Sequence, residues 1–284
     1  MRLVRLSGRS VLARRRPGAV VGLWAWETAL GVVLGSAFSS VASGAYGRHP
    51  DGDAPLFAPG GLQLLDLARH SFAARGPLLG ELLVVVALAR LLGLLPSAAV
   101  FAELLFTTRE LRAPRLKEAL ALGVTAFPTS FTLELFTLAA QGAVVAFGVA
   151  VGAMASSSAT ASLGERRGDL VVVGIALATL AGATIVGVVG DLARAAVVRW
   201  DAGAVVAGGR ALERFLAQPV SFIWSYGWRG AASWVPVALG AWVAGHIGGG
   251  GGVALVVLAA FHQLVAMARV AIRVSWLARV LRGI

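Results

Sequence analysis

The chain has 284 residues, a formal net charge of +11 and 58% hydrophobic residues, with only 14% charged and a mean hydropathy of +0.81. Soluble domains carry about 25% charged residues, so a chain this apolar cannot cover a globule with polar groups, and it reads as an integral membrane protein rather than a soluble, fibrous or disordered one. It has no cysteine, which excludes disulfides, thiolate nucleophiles and Cys-based metal sites, and its single lysine, Lys117, lies between Leu116 and Glu118, which excludes a P-loop.

Residues 1–18 form a basic segment expected on the cytoplasmic side. Arg2, Arg5 and Arg9 share one helical face and Arg14, Arg15 and Arg16 follow, with no acid. Such a segment either sets topology or lies on anionic lipid. Residues 19–284 are expected to form one transmembrane helical domain. The first span covers 19–46 and is interrupted by Glu27. A basic start, an apolar core and the small residues Val41, Ala42, Ser43 and Gly44 also fit a cleaved signal. The length of the run and the acid inside it favour a retained span. Residues 47–77 are polar and turn-rich, with Leu62, Leu65, Ala68 and Phe72 at the spacing of a short interfacial helix.

The second span is placed at 78–99 and contains Arg90 and Pro96; residues 107–127 then turn basic and amphipathic, ending at Pro128. The third span is 128–155, with Glu134 and Gln141, and residues 156–169 read as a polar turn. The fourth is 170–198, its first 21 residues, Leu170 to Gly190, free of charge. Residues 201–228 repeat the basic amphipathic pattern up to and beyond Pro219. The fifth span is 231–247, a glycine hairpin follows at 248–252, and the sixth is 253–280, running out through Arg269, Arg273 and Arg279. The expected fold class is therefore all-α: a polytopic bundle of six spans with amphipathic helices at the interface. Arginine is concentrated on the side that holds both termini, which predicts N-in and C-in topology in a bacterial cytoplasmic membrane. The hexapeptides 126–131 (AFPTSF) and 217–222 (AQPVSF) suggest a parallel repeat in which proline ends a surface helix and turns the chain into the bilayer.

The stretch Gly190-Asp191-Leu192-Ala193-Arg194, the amphipathic run from Arg210 to Leu216, and Pro219 before another span resemble a broad group of bacterial polytopic proteins. That group includes the membrane domain attached to some glycerophosphodiester phosphodiesterases. The resemblance covers roughly residues 100–284. It implies a helical membrane module and carries no activity, because no soluble segment here is long enough for the phosphodiesterase barrel.

Polar residues inside apolar runs are the candidate site: Glu27, Arg90, Glu134, Asp191, Arg194, His262 and Gln263. Glu27 lies about 13 Å into the first span and Arg90 about 18 Å into the second from the opposite side. Their depths match in a core of about 30 Å, so an ion pair between them is expected, either structural or part of an ion pathway. Glu134 is expected to face a water-filled vestibule or pair with a base, Asp191 and Arg194 to satisfy each other at i, i+3, and His262-Gln263 to contact a ligand or make an interhelical hydrogen bond. Small-residue pairs at i, i+4, among them Gly148/Gly152 and Ala183/Gly187, permit close helix approach.

No nucleophile, metal cluster or paired-carboxylate signature is present, so an enzyme is disfavoured, with no cofactor, no metal and no nucleic-acid partner expected. Two readings remain. One is a scaffold or accessory subunit with lipid and protein partners. The other is a transporter or permease subunit with a polar intramembrane cavity. A cavity lined by Glu27, Arg90, Glu134 and His262 would favour transport; a fully packed bundle would favour the scaffold.

Overall fold

The computed structural model describes residues 17–46, 84–85, 87–109, 116–247 and 252–284. They are 96% helical with no strand, as an all-α chain in lipid must be to satisfy its backbone polar groups. The helices are α1 (Pro17–Tyr46), α2 (Leu94–Arg109), α3 (Leu116–Leu163), α4 (Glu165–Trp200), α5 (Ala204–Ala217), α6 (Pro219–Ile247) and α7 (Gly252–Gly283). Residues 87–92 are helical up to a turn at Gly93 and lead into α2. The basic N-terminal segment, the interfacial helix expected near Leu62 to Phe72, the start of the second span and most of the glycine hairpin lie outside the described residues.

Among the described residues three segments are long and apolar enough to cross a membrane: Leu120–Ala155, Arg167–Trp200 and Gly252–Gly283. Pro17–Val33 and Ala87–Phe101 are shorter apolar helices. The apolar segments turn most of their side chains outward; Phe136, Phe147, Leu177, Leu180, Val256 and Leu264 are all exposed. A soluble monomer rarely exposes contiguous apolar patches above a few hundred Å², so these surfaces fit lipid.

The core sits at one end of the bundle. Val188, Leu192, Ala195 and Ala196 of α4 pack with Val270, Val274, Leu277 and Val280 of α7, and Leu23, Phe101, Ala211 and Phe222 close it from α1, α2, α5 and α6. The largest helix pair is α3 with α4, and glycines permit its closeness. A Cβ on Gly148 would lie 2.7 Å from Thr179 Cβ, and one on Gly190 would lie 2.7 Å from Thr137 Oγ1. The hairpin between them closes at Gly164, whose φ of 81° is a conformation that side chains rarely adopt.

Several boundaries differ from the sequence reading. Residues 116–163 form one helix with Pro128 inside it, so no surface helix ends at Pro128. An interior proline costs about 3 kcal/mol in an isolated helix, but here the apolar run continues on both sides and α2 packs along it. The polar turn at 156–169 shrinks to Gly164, because Ser158 and Ser162 donate to the carbonyls of Met154 and Ser158 and are satisfied within the helix. Pro219, by contrast, is the first residue of α6, which starts a dozen residues before the expected fifth span. The amphipathic α5 ends at Ala217 and buries Ala207, Ala211 and Phe215. With Pro128 mid-helix and Pro219 at a helix start, the two hexapeptides adopt different geometries and the parallel repeat fails.

Candidate functional site

The polar residues converge on one place. Glu134 of α3 is 0% exposed and has Arg90 Nε and Arg194 Nη1 each 2.9 Å from its carboxylate oxygens. Arg194 also pairs with Asp191 one turn earlier on α4. Asp191 accepts a hydrogen bond from Trp276 Nε1 of α7 at 2.7 Å. On the other flank, Arg90 Nη1 donates to Gln141 Oε1 at 2.5 Å, and Gln141 Nε2 donates to the Ala183 carbonyl at 2.8 Å. Two arginines and two carboxylates thus form a neutral quartet that ties the 87–92 segment, α3, α4 and α7 together. A charge in low dielectric is tolerated only when paired and hydrogen-bonded. The quartet meets the first half of that condition: every charge is paired, while both Glu134 oxygens and Arg194 Nε are buried without a hydrogen bond.

The expected Glu27–Arg90 pair does not form. Glu27 Oε1 accepts from Arg273 Nη1 at 2.8 Å, and Arg90 belongs to Glu134. Depth counted along a helix says nothing of azimuth: Glu27 faces α7 while Arg90 faces α3. The Asp191–Arg194 pair does form. Gln263 makes the interhelical bond, its Oε1 accepting from Trp24 Nε1 at 3.1 Å and Thr28 Oγ1 at 3.3 Å. His262 Nδ1 sits 3.3 Å from the Leu258 carbonyl of its own helix. The Glu27–Arg273 pair is half-exposed on both sides, 35% and 49%, so a double-mutant cycle on Glu27→Gln and Arg273→Gln should give a coupling of only about 0.2–1 kcal/mol. A coupling above about 2 kcal/mol would show that the pair is desolvated in the membrane.

These groups line a single cavity of about 910 Å³. All seven candidate residues, Glu27, Arg90, Glu134, Asp191, Arg194, His262 and Gln263, are on its wall. So are residues outside that candidate set: Arg269 and Arg273, on the run-out of the sixth span; Trp276; and Arg229, which precedes the start expected for the fifth span. The one available signal for Arg229 was Pro219, which as a helix start puts Arg229 almost three turns into α6. Arg229 is 8% exposed and bonds only neutral groups, Ser275 Oγ at 3.1 Å and the Ser225 carbonyl and hydroxyl at 2.8 and 2.6 Å. The wall carries Arg90, Arg194, Arg229, Arg269 and Arg273 against Glu27, Glu134 and Asp191, an excess of positive charge. Trp24, Tyr226 and Trp276 add aromatic surface, with Tyr226 edge-on to Trp276 at 5.1 Å between centroids. Among the described residues no group of three or more His, Cys, Asp or Glu could hold a metal ion.

Comparison of the chain with protein-family models, curated proteins and solved structures gave no match, so the functional reading rests on this geometry.

Proposed function

We propose that the chain is a multi-pass protein of a bacterial cytoplasmic membrane, with both termini inside, and that it binds and moves a small anionic solute through the cavity between its helices. One observation carries the reading. Glu27, Arg90, Glu134 and His262, on four separate helical segments, line a common cavity of about 910 Å³, the size of a small-molecule site. A scaffold needs no such space, and buried charge without a function is a cost in lipid. The sign of the solute follows from the wall: even with Arg229 left aside, Arg269 remains after the quartet and the Glu27–Arg273 pair are neutralised.

The test is a charge-displacement recording on proteoliposomes, with concentration jumps of succinate, glutamate and inorganic phosphate. At least one of these anions should give a saturable signal that empty liposomes lack. Arg269 is exposed and holds no partner among the described residues, so Arg269→Gln should fold normally and raise the half-saturating concentration about tenfold, the effect of losing roughly 1.4 kcal/mol. Silence for all three anions would contradict transport and favour the scaffold reading.

A further inference from the structure

We propose that Arg229, Arg279 and Arg282, where the start of α6 meets the end of α7, bind the phosphate of an anionic lipid of the inner leaflet. The proposal rests on the membrane reading above but not on transport through the cavity.

Each of these arginines is held by neutral acceptors alone. Arg229 uses Ser275 and Ser225. Arg279 Nη2 donates to Ser221 Oγ at 2.8 Å, with its guanidinium 5.4 Å from the centre of the Phe222 ring. Arg282 Nε donates to the Ala278 carbonyl at 3.2 Å. Arg279 and Arg282 lie within electrostatic reach of Arg229 and of each other, and none of the three is ion-paired among the described residues. Arg229 is more than nine-tenths buried. Three like charges held this close, one of them desolvated, repel unless an anion joins them.

The backbone adds to the same field. α6 begins at Pro219 with no acid in its first turn. Phe222 N–H bonds the Gln218 carbonyl, while Val220 and Ser221, in the first turn, have amides that the helix itself does not use. Ser221 is the residue that Arg279 touches, so the positive end of the α6 dipole adjoins the arginine cluster. Arginine forks suit phosphate oxygens.

The surroundings select a lipid over a free ion. Val220, Trp224 and Leu216 are exposed beside the cluster. They offer apolar surface to acyl chains, and an indole prefers this level of the membrane. Phe222, whose ring Gly283 meets so closely that a Cβ there would lie 2.6 Å from its Cζ, holds α6 and α7 together and keeps the three guanidinium groups at one place.

The experiment measures thermal stabilisation and native mass spectra of the full chain in mixed micelles with phosphatidylglycerol or phosphatidylcholine. Phosphatidylglycerol should stabilise wild type and remain bound, and phosphatidylcholine should do neither. Arg279→Gln/Arg282→Gln, which leaves the cavity wall intact, should weaken phosphatidylglycerol binding at least tenfold. The charge-matched variant Lys117→Gln/Arg167→Gln should keep it. Equal loss in both double variants would show a response to net charge and overturn the site. Equal binding of the two lipids would also overturn it, and inorganic phosphate that stabilises as well as phosphatidylglycerol would overturn the lipid assignment. Silence of the wild type for all three anions with phosphatidylglycerol binding intact would be failure of the cavity reading and not of this site.

Discussion

Glu134→Gln should cost about 3 kcal/mol of stability, the lower end of what removing one partner of a buried ion pair costs. The carboxylate is fully buried between Arg90 and Arg194. The amide has one acceptor oxygen and no charge, so two guanidinium groups would face each other in low dielectric with only Asp191 and Gln141 left to them. Arg90 is partly exposed, with a third of its side chain accessible, and relaxation toward the cavity limits the loss. A second change, Arg90→Gln, should recover part of it, because it removes the charge that the first change orphaned. Melting of the purified protein and the double-mutant cycle read this directly. A single variant within 1 °C of wild type, or strict additivity, would show that the quartet contributes no coupled stability.

Gly148→Ala should destabilise the α3–α4 hairpin by about 1–3 kcal/mol, the usual cost of overpacking. The added methyl would overlap Thr179, and the close atoms include its Cβ as well as its branched tips. The β-branched Thr179 is stiff, and its hydroxyl is engaged with the Ile175 carbonyl at 2.8 Å, so it cannot swing away cheaply. Thr179→Ala alone should be nearly neutral and should rescue Gly148→Ala by restoring the volume. The same change at Gly174, where a new Cβ meets nothing within 4 Å, should not destabilise. If Gly148→Ala and Gly174→Ala behave alike, the closeness of α3 and α4 is not what the glycine provides.

Much of this arrangement is legible in the sequence, and the rest is hidden for physical reasons. Helicity and apolar character are local properties, so α4 and α7 fall close to the boundaries that hydropathy gives. Glu134, Asp191 and Arg194 stand out because charge inside an apolar run is costly and must be paired. Their grouping with Arg90 was hidden, since depth along a helix can be counted from its end but rotation about its axis depends on neighbours. That is why Glu27 was assigned to Arg90 and belongs to Arg273. Pro128 and Pro219 show the same limit. Both sit in similar hexapeptides, yet one lies within a helix and the other begins one, because tertiary packing rather than the proline decides. Arg229 was hidden by the late start given to the fifth span; moving that start to Pro219 places it on the cavity wall.

The claim on which the rest depends is that the cavity holds water and polar solutes. The absence of native cysteine makes single-cysteine labelling a clean measurement, because the thiolate reacts and a thiol ionises only in contact with water. Cysteine at Thr28, Thr184 or Ser233, all on the cavity wall, should react with a charged methanethiosulfonate reagent in proteoliposomes. Cysteine at Phe147 or Leu177, exposed on the apolar face, should not. Anions that give a charge-displacement signal should slow labelling at Thr184→Cys. Labelling at the apolar face but none at the three cavity positions would contradict the account, since the polar groups would then line a space that water does not enter.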